Sequence, residues 1–176
     1  MSAGHMEPII GRYIKVPVMG EECRVYFEEA GQGIPLVCLH TAGADSRQFR
    51  HLRCDEAVTK DFRVIAFDLP WHGKSYPPVG WEKREYRLAT DLYVATIRAF
   101  CAALGLRRPV ALGCSIGGRI VLQLAHAHGS EFRALIGQWL LPEICKKADT
   151  IMFSFKFRIK GNIHRRSIQM CPLLNG

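Results

Sequence analysis

Hydrophobic and polar positions follow a strand periodicity near the N-terminus and buried-strand patterns after it. Apolar residues alternate with polar ones over residues 13–18 and 23–28, on either side of Gly20, which predicts an opening antiparallel hairpin. Continuous short apolar runs are typical of strands buried on both faces. They predict four further strands, at residues 36–39, 64–67, 110–112 and 132–136.

Helical patterns lie between these strands. The pair Asp45 and Ser46 is a typical N-cap and predicts a helix through about residue 59. Residues 86–104 carry apolar side chains at helical spacing before Gly105, a typical helix stop. The repeated strand–helix–strand order predicts an α/β fold, with a mostly parallel sheet, helices on both faces and the N-terminal antiparallel hairpin at one side.

A run of small residues stands where the strand at 110–112 gives way to a helix. In Gly113-Cys114-Ser115-Ile116-Gly117-Gly118, a serine on a sharp strand-to-helix turn needs glycines two residues before and after it to avoid a clash. Such a turn exposes the Ser115 hydroxyl and turns the Ile116 N–H toward a developing oxyanion. The alternative for this short pattern alone is an ordinary helix start rich in small residues.

Two motifs upstream favour the functional interpretation of Ser115 over an ordinary helix start. One buried strand ends in His40-Thr41-Ala42-Gly43, and the next ends at Asp68 before Leu69-Pro70-Trp71-His72-Gly73-Lys74-Ser75. With these, residues 8–137 resemble the α/β-hydrolase superfamily, in particular its esterase-like and C–C-hydrolase-like group. The resemblance implies that Ser115 is the nucleophile, that Ile116 and Ala42 provide the oxyanion-hole N–H groups, and that His40 shapes the oxyanion loop through hydrogen bonds.

The chain departs from the family pattern at two places. Thr41 replaces the usual glycine after the histidine, and Pro70-Trp71 replaces the commoner Arg-Gly. Thr41 narrows the conformational freedom of the loop, so the identity of the second oxyanion donor stays open. Asp68 at its strand end is interpreted as a cap of the following turn rather than as a nucleophile.

The resemblance also implies an acid and a histidine after the serine in chain order, carried after later strands. Asp149 and His164 follow Ser115 in that order, but nothing between residues 136 and 164 resembles two strand–helix units. The alternative for His164 is a solvated residue in a basic segment. We therefore expect an incomplete α/β-hydrolase fold from a truncated or alternatively spliced chain, weakly active or inactive.

The chain divides by charge into a core at residues 8–137 and an atypical basic segment at residues 138–176. That segment carries a net charge of +5 out of +8 for the chain, because Glu143 and Asp149 oppose seven cations: Lys146, Lys147, Lys156, Arg158, Lys160, Arg165 and Arg166. Apolar side chains alternate over residues 151–160, which predicts an edge strand. The alternative is a basic patch that attracts nucleic acid or acidic lipid.

Composition is typical of a soluble globular chain, with 48% hydrophobic and 23% charged residues. No stretch of 18 apolar residues predicts a membrane span, and the N-terminus shows no secretory signal pattern. The odd number of scattered cysteines, without a C-x-x-C pair, predicts reduced thiols in a cytoplasmic protein, with no metal site and no cofactor. These are Cys23, Cys38, Cys54, Cys101, Cys114, Cys145 and Cys171.

Two functions follow. The first is hydrolysis of a small ester-like or related acyl substrate through Ser115, with no specific nucleic acid partner. The second is a non-catalytic fragment or interaction protein that uses its basic tail or an exposed sheet edge, an edge through which the chain would also self-associate.

Overall fold

The computed structural model describes residues 6–77, 79–85 and 89–138, and these form one six-stranded sheet with helices on both faces. The strands are β1 (Ile10–Val18), β2 (Glu21–Ala30), β3 (Ile34–Leu39), β4 (Phe62–Phe67), β5 (Val110–Cys114) and β6 (Ala134–Gln138). The helices are α1 (Arg50–Cys54), α2 (Glu56–Thr59), α3 (Thr90–Ala103) and α4 (Ile116–His128). Three short 3₁₀ turns occupy Ser46–Phe49, Trp81–Lys83 and Gly129–Glu131.

The order of strands in the sheet is β1-β2-β4-β3-β5-β6. The pairs β3–β4, β3–β5 and β5–β6 are parallel, whereas β1–β2 and β2–β4 are antiparallel. The α/β class, the mostly parallel sheet and the N-terminal antiparallel hairpin are thus confirmed. Since β3 and β5 are parallel neighbours, the loops that follow them meet at the same edge of the sheet.

The turn of the N-terminal hairpin is a two-residue connection between β1 and β2. Ile14 pairs with Val25, and the two strands are joined by Met19 and Gly20, whose φ angles are 49° and 87°. Two consecutive positive φ angles suit the right-handed twist of the flanking strands. Gly20 adopts its angle without strain, so the turn lies where the alternating pattern predicted it.

Each face of the sheet has its own hydrophobic core. On one face, α3 and α4 bury Ile97, Phe100 and Leu124 against Val37 and Ile65. On the opposite face, the 3₁₀ turn Ser46–Phe49, α1 and α2 cover the other side of the strands with three side chains, Phe49, Leu52 and Val58. The sheet therefore holds the loops at its carboxyl edge on a support packed from both sides.

The last strand lies two residues later than predicted. The sequence predicted residues 132–136, but β6 runs over Ala134–Gln138. Phe132 is apolar because its side chain, 2% exposed, packs into the core from the preceding loop, where its N–H donates to the Gly129 carbonyl. The buried, apolar side chain of this loop residue therefore gave the sequence pattern of a strand start.

The first predicted helix is wrong as a single element. Instead of one helix over residues 45–59, the chain forms the 3₁₀ turn, α1 and α2 in succession. Asp55 interrupts them with extended backbone angles, φ −87° and ψ 110°, while its carboxylate accepts from the Ala57 N–H and caps α2. The Asp45 side chain caps the 3₁₀ turn through the Arg47 N–H.

The second helix, α3, agrees with the predicted pattern at its end, and Gly105 with φ 62° follows it. The predicted start at residue 86 falls on residues 86–88, which lie outside the described ranges. Within the described ranges, no helix combines the length and apolar character that crossing a bilayer requires.

Candidate active site

The backbone of Ser115 is the most unusual local feature of the site. Its φ is 53° and its ψ is −113°, and it stands between the end of β5 and the first residue of α4. A non-glycine residue with positive φ is uncommon, costs about 1–3 kcal/mol, and persists only where its surroundings enforce it. Ser115 is therefore on the sharp strand-to-helix turn that the sequence predicted.

Two flanking glycines make this turn sterically possible. A Cβ atom at Gly113 would lie 2.2 Å from the carbonyl oxygen of Gly117, and a Cβ atom at Gly117 would lie 2.4 Å from the carbonyl oxygen of Leu39. Real Cβ atoms do not approach backbone oxygens that closely, so neither position accommodates a side chain. Leu39 ends β3, so this contact also brings the start of α4 against the loop after β3.

The strand-to-helix turn at residues 113–117, called the elbow below, leaves several backbone N–H donors available beside the serine. The first hydrogen bond of α4 runs from the Arg119 N–H to the Ser115 carbonyl, so the N–H groups of residues 116–118 have no acceptor within the helix. The partial positive charge of a helix N-terminus adds to them and favours an anion there. The Ser115 side chain is partly exposed and makes no hydrogen bond to another described residue.

The loop after β3 holds residues 40–43 beside this turn, because β3 and β5 are neighbours with Leu39 opposite Gly113. His40, 1% exposed, organises the loop. Its Nε2 accepts from the Leu69 N–H at 3.1 Å, which leaves the proton of a neutral ring on Nδ1, 2.8 Å from the Thr41 carbonyl oxygen. Burial lowers the pKa of His40 and favours this neutral form.

Two side chains that the sequence analysis did not single out also contact this loop. The Oε1 atom of Gln48 accepts from the Thr41 N–H at 2.9 Å. The Nε2 atom of His72 lies 3.0 Å from the Ala42 carbonyl oxygen. The Ala42 N–H makes no hydrogen bond to another described residue. A glutamine side chain carries no motif signal, and His72 was recognisable only as part of the loop after β4.

Asp68 ties the loop after β4 to the start of the 3₁₀ turn. Its Oδ1 accepts from the Ser46 N–H and its Oδ2 from the Lys74 N–H, both at 2.7 Å, while the whole residue is 1% exposed. A Cβ atom at Gly73, whose φ is 52°, would lie 2.2 Å from Asp68 Oδ2. Asp68 thus caps the turn that follows β4.

Trp71 occupies the position where the family pattern has glycine, and it keeps a backbone that glycine favours. Its φ is 74°, in the left-handed region that bulky residues rarely adopt. Its ring meets that of Trp81 edge to face, with the centroids 5.8 Å apart. Such an aromatic pair contributes about 0.5–1.5 kcal/mol beyond its buried area and helps to hold the strained loop.

The cysteine beside the serine is buried. Cys114 is 7% exposed, and burial raises the pKa of its thiol, although a hydrogen bond with Gln48 opposes that effect. It therefore acts as a small hydrophobic side chain that packs beneath the turn. Among the described residues, no group of histidine, cysteine and carboxylate side chains has the arrangement of a metal site. The five described cysteines are free thiols.

The described structure brings Ser115, Ile116, Ala42 and His40 together at the carboxyl edge of the sheet. Asp149 and His164, the residues predicted to serve as acid and base, lie outside the described residues. The predicted edge strand at residues 151–160 lies outside them as well.

Comparison with known proteins agrees with this geometry. The sequence profile described as alpha/beta hydrolase fold matches residues 34–140, more than half of the chain. The chain belongs to this family. It is 29% identical over 128 residues to the AB hydrolase superfamily protein YisY of Bacillus subtilis, a match that covers 72% of this chain and 44% of YisY.

A second relative is the 2-hydroxy-6-oxononadienedioate/2-hydroxy-6-oxononatrienedioate hydrolase of Burkholderia vietnamiensis, 28% identical over 135 residues, or 75% of this chain and 45% of that protein. Among solved structures, a thermophilic esterase from Thermogutta terrifontis matches with a TM-score of 0.59 and 23% identity, over 69% of this chain and 43% of the esterase. The chain spans less than half the length of the relatives it matches.

Proposed function

We propose that this chain carries the nucleophile and oxyanion hole of a serine hydrolase that acts on an ester or a related acyl bond. The observation that carries the proposal is the backbone of Ser115. This residue lies between β5 and the N-terminus of α4 and has a positive φ. Strain of this kind persists only where the surroundings enforce it, and it is typical of functional sites. A structural serine at a helix start would adopt relaxed angles instead.

In the proposed reaction the Ser115 oxygen attacks the acyl carbon and forms a new C–O bond, while its proton passes to a general base. The negative charge that develops on the carbonyl oxygen is stabilised by the N–H groups of Ile116 and Ala42. Collapse of this intermediate breaks the bond to the leaving alcohol, which takes up a proton. Water then releases the acid and regenerates the serine.

Asp149 and His164 remain the proposed acid and base, supported only by their order after Ser115. The family pattern carries these groups after later strands, so we also keep the proposal that this chain is weakly active or inactive by itself. An oxyanion hole without its base still accelerates hydrolysis by about 10³ to 10⁴ over water. The division into a core at residues 8–137 and a basic segment at 138–176, the cytoplasmic location and self-association through a sheet edge are likewise proposals.

The substrate proposal is a small ester-like molecule. The relative from Burkholderia vietnamiensis is named a hydrolase, and one structural neighbour is an esterase, which supports hydrolysis as the reaction. Substitution at the carboxyl edge of the sheet would change specificity, because ligands of open α/β sheets bind there.

The decisive experiment compares the wild-type chain with Ser115→Ala in labelling by a fluorophosphonate probe. In the labelling step the serine oxygen bonds to phosphorus and fluoride leaves. We expect the wild type to be labelled and the alanine variant to remain at background, because the proposal places the Ser115 hydroxyl beside the oxyanion donors that stabilise the attack on phosphorus. Equal labelling of both proteins, or none of either, would reject the proposed nucleophile in this chain and favour a non-catalytic interaction protein.

A further inference from the structure

We propose that Gln48 and His72 are positioning residues, which hold the oxyanion loop (residues 40–43) from two sides and so set the direction of the Ala42 N–H. This inference rests on the proposed function. It begins from the hydrogen bonds of three successive peptide groups in the loop: His40, within the loop, holds the middle one, and Gln48 and His72, from outside it, hold the other two.

The middle peptide joins Thr41 to Ala42 and contains the proposed oxyanion donor. Its carbonyl oxygen accepts from the Ala44 N–H at 3.1 Å and from His40 Nδ1 at 2.8 Å. No described peptide bond is cis, so in this plane the Ala42 N–H points opposite to the Thr41 carbonyl. The Ala42 N–H is therefore directed away from the interior groups that hold the carbonyl.

Gln48 anchors the preceding peptide. Its Oε1 accepts from the Thr41 N–H at 2.9 Å, so the peptide between His40 and Thr41 is held by a side chain from outside the loop. One side chain from the 3₁₀ turn at Ser46–Phe49 thus connects that turn with the oxyanion loop. With the Thr41 N–H bonded in this way, the donor left open by the sequence is assigned to Ala42.

His72 anchors the following peptide from the loop after β4. Its Nε2 lies 3.0 Å from the Ala42 carbonyl oxygen and its Nδ1 lies 3.1 Å from the Pro70 carbonyl oxygen. A carbonyl oxygen only accepts, so the ring donates to Ala42 when its proton is on Nε2. The His40 ring packs beside it, with the centroids 5.0 Å apart, and limits its rotation.

The hydrogen bonds from Gln48 and His72 hold a loop that the sheet does not hold. Ala42 and Gly43 are exposed and belong to no strand or helix, so the sheet itself does not hold their peptide groups. A displacement of about 1 Å in a group that meets the transition state costs up to about 10²-fold in rate. Side-chain bonds to the peptides on either side of the donor limit such displacement.

The test uses His72→Leu and Gln48→Leu, which remove the anchoring atoms. His126→Leu and Gln123→Leu, at exposed positions of α4, make the same chemical changes away from the loop and serve as matched controls. We expect the maximal rate of fluorophosphonate labelling to fall about tenfold or more in the two anchor variants, with the probe concentration at half-maximal rate changed less than about twofold. The controls should label like the wild type.

Conservative variants separate positioning from general stability. Gln48→Glu keeps an acceptor for the Thr41 N–H and His72→Gln keeps a donor for the Ala42 carbonyl, so each should recover most of the lost rate. They also carry the test if a leucine variant fails to fold. An unchanged maximal rate in folded anchor variants, or a loss that the conservative variants share in full, would overturn the proposal.

A second readout does not depend on activity. The amide resonances of Ala42 and Gly43 should shift in His72→Leu and Gln48→Leu and remain in place in the two controls. If the wild type is not labelled at all, the proposed function fails, and these resonances alone decide whether the loop is anchored. Unshifted resonances in both anchor variants would overturn the anchoring whatever the labelling shows.

Discussion

At the scale of single residues, the site depends on places where a side chain must be absent. Gly113 and Gly117 face backbone carbonyl oxygens that no side chain can displace cheaply, because the backbone of α4 and of β3 would have to move. The strained Ser115 angles survive because these close contacts leave the chain no relaxed alternative.

Replacement of Gly113 by alanine tests this point. The new Cβ would lie 2.2 Å from the Gly117 carbonyl oxygen, so we expect Gly113→Ala to lower the free energy of unfolding by about 2 kcal/mol or more. Urea unfolding followed by circular dichroism measures the change. Gly129→Ala is the control, since its Cβ meets nothing within 4 Å and its φ is −56°. A loss as small in Gly113→Ala as in the control would contradict the close packing of the elbow.

At the scale of elements, α3 is attached to the sheet by aromatic packing. Phe100, fully buried, stacks on Phe67 with the ring centroids 4.3 Å apart and meets Phe27 edge to face at 5.6 Å. Phe67 is the last residue of β4, directly before Asp68 and the loop that reaches the site. The packing of α3 therefore supports the base of that loop.

We expect Phe100→Ala to lower the free energy of unfolding by about 3–5 kcal/mol, because it removes a buried ring and leaves a cavity between α3 and the sheet. Differential scanning calorimetry compares it with Leu122→Ala on α4. Leu122 is 37% exposed and should cost far less. Equal shifts of Tm in the two variants would show that α3 does not depend on this aromatic cluster.

At the scale of the whole molecule, the site is assembled from loops far apart in sequence. His40 follows β3 and accepts from the backbone of Leu69, which follows β4. A protonated ring would present a second donor to that N–H instead of an acceptor, so the bond needs the neutral form. Burial lowers the pKa of His40 below its ordinary value of about 6.5, which agrees with this requirement.

This lowered pKa predicts a loss of stability in acid. Above about pH 6.5 the ring is neutral in both the folded and the unfolded chain, and the full stability is present. As pH falls from there toward the folded-state pKa, the unfolded chain binds a proton that the folded chain does not, and the folded state loses stability. Urea unfolding between pH 8 and pH 5 should show this dependence.

The comparison protein is His40→Gln, which does not titrate and keeps an acceptor. Its stability should fall less between pH 8 and pH 5 than that of the wild type, whereas His51→Gln, at an exposed position of α1, should follow the wild type. Parallel curves for wild type and His40→Gln would assign the acid sensitivity to other groups.

The strands were predictable because their signals are local. Each buried run of apolar residues in the sheet and the Gly-x-Ser-x-Gly spacing at Ser115 are properties of a few neighbouring residues. The errors arose where tertiary contacts outweighed local pattern. Phe132 packs into the core from the loop before β6, so its apolar side chain does not mark a strand position. Asp55 divides the segment that the pattern predicted as one helix through residue 59.

The sequence by itself determined the class of fold, the sharp turn at Ser115 and the family resemblance, because these follow from the order of residue types along short segments. Only the tertiary structure decided which amide N–H remains available in residues 40–43, where the Ala42 N–H meets no acceptor among the described residues. Gln48 accepts from the Thr41 N–H, and the pairing of β3 with β4 brings His72 to the Ala42 carbonyl oxygen. Hydrogen bonds between residues distant in the chain leave no periodic trace in its sequence.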